Sequence, residues 1–178
     1  MFSLQGKVAL VTGSTKGIGK SIAWHMAKAG AKVVISSRNV ESCDEVTREF
    51  TAAGLTAIAL PCNIAHKEEL QKMVADTLAK WGRIDILVCN AATNPVYGPM
   101  AKASDDAFDK IMGTNVKTDF ARALWEDDRI RTPREAQTPL RRLGEADDIG
   151  GIAVMLASRA GNFITGQMIV ADGGVTIA

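Results

Sequence analysis

The chain has 178 residues, of which 47% are apolar and 23% are charged, and its formal net charge is +1. This is the composition of a globular domain with its own core, and the small net charge argues against a nucleic-acid or membrane-surface partner. We expect a cytoplasmic protein, because no apolar run reaches the roughly 18 residues of a membrane helix and the first residues lack a signal-peptide pattern.

Apolar runs alternate with amphipathic segments along the first half of the chain. Strands are predicted at residues 7–12, 32–37, 56–62 and 84–89, and helices at residues 17–29, 40–53 and 66–81. Gly30, Gly54 and Gly82 end the three helices. Short strands separated by helices of this length predict βαβ units and a parallel sheet that is covered by helices on both faces.

The pattern changes after Asn90. Residues 91–100 are a loop rich in Pro, Gly and Asn, and Ser104 begins a helix that reaches about Lys117. Residues 118–143 are polar, residues 146–157 form another helix, and residues 167–170 form a last strand. Without repeats or linkers, the sequence predicts a single α/β domain over residues 1–178, with a Rossmann-like, doubly wound parallel sheet.

A glycine-rich loop lies between the first strand and the first helix. The glycines have separate roles: Gly13 permits a sharp turn, Gly17 lets the backbone approach a pyrophosphate, and Gly19 allows close packing of helix against strand. The N-terminus of the helix then offers free N–H groups to phosphates. Because strand, loop and helix occur in the required order, we predict a nucleotide-binding loop, formed by Gly13, Ser14, Thr15, Lys16, Gly17, Ile18 and Gly19.

The spacing T-G-x-x-x-G-x-G resembles that of the short-chain dehydrogenase/reductase family. Further motifs are similar to that family in the same order: "NAA" at Asn90, Ala91 and Ala92, "GTNVK" around Asn115, "PLRRLGEADDI" at residues 139–149 and "TGQMIVADGG" at residues 165–174. The resemblance covers essentially the whole chain. It implies hydride transfer between a nicotinamide cofactor and a small carbonyl or alcohol substrate.

The resemblance also implies roles for particular residues. Asn115 matches the family's helix asparagine and is the catalytic residue that can be carried over. Asn63 and Ile64, after the third strand, match the pair that contacts adenine, although the family usually has Asp in place of Asn63. Asn90, Ala91 and Ala92 match the cofactor-binding motif after the fourth strand.

The end of the second strand favours NADP(H) over NAD(H). An acidic residue there would bind a ribose 2′-hydroxyl, but this chain has Ser37, Arg38 and Asn39. The guanidinium of Arg38 matches a phosphate, and Lys16 adds a second cation in the glycine loop. The alternative is that both cations are solvated surface charges.

The family's catalytic Ser and Tyr-x-x-x-Lys are not found in this sequence. The one tyrosine, Tyr97, precedes Asn115 and is followed four residues later by Ala101, so we interpret it as a substrate-loop or surface residue. Strands five and six and the helix between them are missing, on the order of 60–70 residues at roughly 30 per βαβ unit. Lys117 and Thr118 mark the expected join, and Thr118 matches a threonine that contacts the nicotinamide amide.

Three explanations stay open: a natural internally deleted form, a coding sequence that has lost a segment, or catalytic groups replaced by others. The last strand then has the fourth as its nearest partner, which predicts a reduced sheet of order 3-2-1-4-7. The resemblance also implies a homo-oligomer through the C-terminal strand and helix.

No metal site is expected, because His25 and His66 lack neighbouring ligands. The three cysteines, Cys43, Cys62 and Cys89, form no CxxC pair, and we interpret them as buried thiols.

Overall fold

The computed structural model describes residues 1–91, 116–118 and 121–177. Strands and helices alternate in its first part. They are β1 (Val8–Thr12), α1 (Gly17–Lys28), β2 (Lys32–Ser36), α2 (Val40–Ala52), β3 (Ala57–Ala59), α3 (Lys67–Trp81) and β4 (Ile86–Val88). The described residues after β4 contain α4 (Arg122–Trp125), α5 (Asp128–Gln137) and α6 (Ala146–Ala157). Short 3-10 turns lie at Arg159–Gly161 and Val175–Ile177.

The four strands form one parallel sheet in the order β3-β2-β1-β4. The central strand β1 pairs with β2 in the register Val8 to Lys32 and with β4 in the register Ala9 to Ile86. The predicted α/β, Rossmann-like class and the order of the first four strands are therefore confirmed. Strands β3 and β4 are shorter than predicted, with three residues each.

Alternate residues of the strands enter two cores, because successive side chains of a strand point to opposite faces. On one face, Ala9, Val11 and Ile35 pack among residues of α1, α2 and α6. On the other face, Leu10 and Val34 pack with Cys62 and with Met73 of α3. Burial on both faces explains the continuous apolar character of β1 and β2.

Helix α6 packs on α1 through a polar contact beside the apolar core. The hydroxyl of Ser21 donates to Asp147 Oδ1 at 2.6 Å, and His25 Nδ1 lies 2.9 Å from the carbonyl of Ser21. Gly150 makes this approach close, because a Cβ added there would lie 2.6 Å from His25 Nδ1 and 2.9 Å from Ser21 Oγ. The neighbouring Gly151 has nothing within 4 Å of the same position.

We expect Gly150→Ala to lower the free energy of unfolding by about 1–2 kcal/mol, because the added methyl overpacks the contact between α1 and α6. Gly151→Ala is the matched control and should raise it by roughly 0.5–1 kcal/mol, since alanine is the better helix former. Urea denaturation of the two variants measures the difference. Equal behaviour of the two would contradict the described packing of α6.

A half-buried carboxylate connects β4 to β1 at the amino ends of these two strands. Asp85 Oδ2 accepts the backbone N–H of Val8 at 2.9 Å. Lys7 Nζ lies 3.5 Å from Asp85 Oδ1, and the guanidinium of Arg83 donates N–H groups to both carboxylate oxygens. The hydrogen bonds from Arg83 hold the pKa of Asp85 below its usual range, against the effect of burial.

This lowered pKa gives a pH-dependent stability with a definite sign. The contribution is present above the unfolded-state pKa of about 3.9 and is lost as pH falls through the lower folded-state pKa. We expect Asp85→Asn to cost roughly 1–2 kcal/mol near neutrality and less at pH values below the unfolded-state pKa. Unfolding titrations over pH, with the exposed Asp44→Asn of α2 as control, check this; an unchanged pH profile in Asp85→Asn would argue against it.

The chain divides into two compact units by its contacts. The first contains Met1–Ala91 and Asp147–Met168, and the second contains Ala92–Ala146 and Ile169–Ala178. The prediction of a single domain over residues 1–178 stays a prediction. In the described residues, no helix combines the length and the apolar character that membrane crossing requires.

The prediction of a C-terminal strand at residues 167–170 is wrong. These residues are not part of a strand, they belong to none of the three strand pairings of the described sheet, and Met168 is 90% exposed. The predicted order 3-2-1-4-7 is therefore wrong in its last member, and β4 is an edge strand of the sheet that the described residues form. An apolar run becomes a strand only where a partner strand satisfies its backbone groups, and the expected partner, strand six, is not in the sequence.

The region around the expected join has local structure of its own. Val116 forms an isolated parallel bridge with Gly144, and Lys117 donates its backbone N–H to Gly144 at 2.8 Å. The ammonium of Lys117 also pairs with Glu145 at 2.9 Å. The predicted helix that reaches Lys117 is thus wrong at its end, and its residues up to 115 lie outside the described residues.

Candidate functional site

The candidate site lies at the carboxyl edge of β1, β2 and β4, where the glycine loop leaves β1. Gly13 and Gly17 have φ values of 66° and 55°, which only glycine adopts readily. Helix α1 begins at Gly17, and the side chain of its N-cap residue, Lys16, makes no capping hydrogen bond. The first N–H groups of α1 are thus left uncapped by a side chain, as an anion-binding helix terminus requires.

The side-chain amide of Asn90 anchors the glycine loop. Its Nδ2 donates to the carbonyl oxygens of Thr12 at 2.9 Å and Gly13 at 3.1 Å. A Cβ added at Gly19 would lie 2.3 Å from both Asn90 Nδ2 and the oxygen of Gly13. The glycine at position 19 is therefore required by the loop itself, and both predicted elements, the glycine loop and Asn90, are brought together.

Thr12 contributes to the site although the glycine spacing assigns no role to it. Its hydroxyl donates to Val88 O at 3.2 Å and accepts the N–H groups of Asn90 at 3.0 Å and Ala91 at 3.1 Å. The last residue of β1 thus fixes the segment after β4. A hydroxyl residue at the end of an otherwise apolar strand was the available signal.

The loop residues between the glycines divide into buried and exposed members. Ser14 is fully buried, and Ile18 packs against the core of the first unit. Their side chains therefore support the loop from inside the protein. Any contact of these two residues with a cofactor is predicted to use their backbone atoms. Thr15 is half-buried and Lys16 is exposed.

The end of β2 lies beside the loop, since Ser14 N donates to Ser36 O at 2.9 Å. Arg38 is exposed there and forms no ion pair within the described residues, and the same holds for Lys16. Asn39 caps α2 by accepting the N–H of Ser42 at 2.6 Å. No carboxylate occupies residues 36–39.

The predicted adenine-contacting pair follows β3 at the same edge, since Cys62 N donates to Ser37 O at 2.9 Å. Asn63 Oδ1 accepts the N–H of Ala65 at 3.1 Å, and Ile64 is 42% exposed. Glu69 accepts the backbone N–H of Asn63 at 2.7 Å, and this hydrogen bond is the main cause of the lowered pKa of Glu69. Burial raises the pKa of the Cys62 thiol next to them.

The remaining predicted residues belong to the second unit or lie outside the described residues. Thr118 belongs to the second unit, where its hydroxyl accepts the N–H of Ala121 at 3.3 Å and its carbonyl accepts the indole N–H of Trp125 at 2.9 Å. Ala92, Tyr97 and Asn115 lie outside the described residues.

The expectation of buried thiols holds for two cysteines and is wrong for the third. Cys43 and Cys62 are buried, whereas Cys89, after β4, is exposed. No cluster of three or more His, Cys, Asp or Glu side chains in residues 1–91, 116–118 and 121–177 has a metal-binding arrangement.

Comparison with known proteins identifies the family of this site. A family described as short chain dehydrogenase matches residues 7–123. The chain belongs to the short chain dehydrogenase family. A second family, described as Enoyl-(Acyl carrier protein) reductase, matches residues 114–176.

Curated relatives of this oxidoreductase family align with most of the chain or with a large part of it. Dehydrogenase/reductase SDR family member 4 of Oryctolagus cuniculus is 29% identical over 244 positions, covering 96% of this chain and 94% of the relative. Its counterpart in Caenorhabditis elegans is 44% identical over 117 residues, covering 65% of this chain and 45% of the relative. The alignment of 244 positions exceeds the 178 residues of this chain by 66, so at least that many positions of the rabbit protein have no counterpart here.

Solved structures confirm the fold. A gluconate 5-dehydrogenase from Burkholderia cenocepacia J2315, in complex with NADP and tartrate, is 26% identical with a TM-score of 0.85, covering 99% of this chain and 98% of that one. A hydroxysteroid dehydrogenase from Escherichia coli is 25% identical with a TM-score of 0.84, covering 97% and 98%.

Proposed function

We propose that this short chain dehydrogenase binds NADP(H) in preference to NAD(H). The observation that carries the proposal is the carboxyl edge of β1 and β2, where two exposed cations, Lys16 and Arg38, accompany an uncapped helix N-terminus and residues 36–39 contain no carboxylate. The helix terminus suits the pyrophosphate, and the two cations suit a 2′-phosphate. The NADP in the Burkholderia structure supports a cofactor of this class.

The residues of this edge fit a dinucleotide on structural grounds. A Cβ added at Gly13 or Gly19 would meet Asn90, Ala91 or the carbonyl of Gly13, so the loop packs closely on the segment after β4, as a phosphate-binding glycine loop does. We assign the pyrophosphate to the N–H groups at Gly17, Ile18 and Gly19. When bound, the cofactor supplies or accepts a hydride, and this chain's residues hold and orient it.

We infer that catalytic turnover is impaired or lost in this chain. The substrate class of the family is a carbonyl or alcohol, and its proton must come from a group whose pKa lies near neutrality. A free phenol has a pKa of about 10 and needs a nearby ammonium. The sequence has the one tyrosine Tyr97, four residues before Ala101, and none after Asn115. Asn115 alone has no means of moving the proton.

We propose that the missing segment would lie between Lys117 and Thr118. The two family matches meet around these residues, since one ends at residue 123 and the other begins at residue 114. The surplus of at least 66 positions in the rabbit relative agrees in size with two strands and one helix.

The second candidate function is a non-catalytic, nucleotide-binding shortened form that assembles with full-length copies and modulates them. Two features of the sequence favour this function: the chain keeps the glycine loop, and it has no tyrosine after Asn115. The C-terminal region is the proposed surface of assembly, in a homo-oligomer or with a full-length copy.

A turnover assay separates these functions. NADPH oxidation is followed with a panel of ketones, aldehydes and dicarbonyl compounds, and binding of NADPH is measured on the same preparation. We expect binding without turnover. Turnover by the unmodified chain that is lost in Asn115→Ala would show that the chain is an active enzyme and would contradict the proposed impairment. Absence of NADPH binding would refute the proposed cofactor.

A further inference from the structure

Ser14 connects the glycine loop to the end of β2 through a buried hydroxyl. The side chain has 0% exposure, its Oγ donates to Val11 O at 2.7 Å, and it accepts the backbone N–H of Ser36 at 2.8 Å. The backbone N–H of Ser14 donates in turn to Ser36 O at 2.9 Å. Both polar groups of the Ser36 backbone are therefore bonded to one loop residue.

This connection fixes the backbone on one side of Arg38. On the other side, Asn39 is held by the hydroxyl of Ser37, which donates to Asn39 O at 3.2 Å and accepts Asn39 N at 3.3 Å. Asn39 also caps α2 through Ser42. The backbone at Arg38 thus lies between two anchored points, while its side chain is exposed and makes no ion pair within the described residues.

We propose that Ser14 is a positioning residue for the choice between NADP(H) and NAD(H). Its hydroxyl sets the distance between the phosphate-binding loop and Arg38, so that a nucleotide held by the loop presents its 2′-phosphate to the guanidinium. The proposal rests on the proposed binding of NADP(H). It concerns Ser14 acting through Arg38 and assigns no contact between the Ser14 side chain and the cofactor.

The test compares affinities for NADPH and NADH, and for 2′,5′-ADP and 5′-AMP, in four forms of the full chain: unmodified, Ser14→Ala, Arg38→Ala and the double variant. We expect Ser14→Ala to lower the preference for the 2′-phosphorylated nucleotide by roughly five- to tenfold, the worth of one such hydrogen bond. In the Arg38→Ala background the same change should alter the preference by less than about twofold, because coupled residues are not additive.

Two further variants keep the result interpretable. Thr47→Val removes a buried hydroxyl of α2 that has no hydrogen-bond partner, and it should leave the preference unchanged. Ser14→Cys keeps the shape of the serine side chain and replaces the hydroxyl with a larger, weakly bonding thiol, so it should shift the preference in the same direction as Ser14→Ala even if the alanine variant fails to fold.

Equal weakening of all four nucleotides by Ser14→Ala would show a merely structural role and overturn the proposal. A change of preference that persists in Arg38→Ala would overturn it as well, since Ser14 would then act by another route. An unmodified chain that binds NADPH and NADH equally, or neither, would instead refute the proposed cofactor preference, and the role of Ser14 would fall with it.

Discussion

Gly19→Ala is expected to abolish measurable nucleotide binding at concentrations that saturate the unmodified chain. The added Cβ would lie 2.3 Å from the carbonyl oxygen of Gly13 and from Asn90 Nδ2, so loop and helix must move apart. Overpacking of this kind costs about 1–3 kcal/mol of stability. It also displaces the N–H groups at the start of α1 that would bind the pyrophosphate. Calorimetric titration with NADPH and urea denaturation measure the two effects.

Gly151→Ala is the control for this substitution. It makes the same chemical change in a helix, at a position with open space around the added methyl. It should keep nucleotide binding and gain stability. A Gly19→Ala variant that binds NADPH as the unmodified chain does would show that the loop does not hold the pyrophosphate.

Arg38→Asp is expected to reverse the preference between the two cofactors. The substitution removes a charge-assisted partner of the 2′-phosphate and places a carboxylate where NAD-binding sites use one for the ribose 2′-hydroxyl. Affinity for NADPH should fall roughly 100-fold, the upper range of a hydrogen bond to a charged group, while affinity for NADH should stay or rise. The loss should be smaller at high salt, since exposed charges are screened.

Arg48→Asp supplies the matched charge reversal on the same segment of chain. Arg48 is exposed and lies in the second half of α2, about two turns from the helix start beside Arg38. Its reversal should change neither affinity by more than the general effect of net charge. If Arg38→Asp and Arg48→Asp weaken NADPH binding equally, Arg38 acts only through long-range charge and reads no phosphate.

The first half of the fold follows closely from the sequence because local signals and tertiary structure agree there. Gly82, for example, ends α3 in a left-handed conformation, as the predicted C-terminal cap requires. The apolar runs of β1 and β2 are buried on both faces, which is the environment that such runs indicate.

Two later segments could not be predicted because their structure depends on neighbours or on caps that apolar patterning does not show. Residues 167–170 have the composition of a strand, but strand formation also needs a partner that the sequence lacks. The polar segment after Thr118 contains the helices α4 and α5, although Pro133 inside α5 argues against a helix. The cap at Asp127, which accepts the N–H of Arg129 at 2.9 Å, supports α5.

The sequence predicts the glycine loop and Asn90 as parts of the candidate site, but it does not indicate Thr12 or the contacts that these residues make. The glycine spacing predicts the loop, but it does not show that Asn90 donates both of its bonds to the loop backbone or that Ser14 faces β2. Such roles depend on which strands are adjacent in the sheet. Lys117, at the predicted join, likewise makes contacts that the sequence does not indicate, because its backbone N–H donates to Gly144 and its ammonium pairs with Glu145.

Equilibrium titration of the unmodified chain with NADPH and with NADH, at one ionic strength, tests the central claim most directly. A charge-assisted contact between Arg38 and the 2′-phosphate predicts that NADPH binds at least about tenfold more tightly than NADH. Equal affinity for the two nucleotides, or binding of neither, would contradict a retained NADP(H) site.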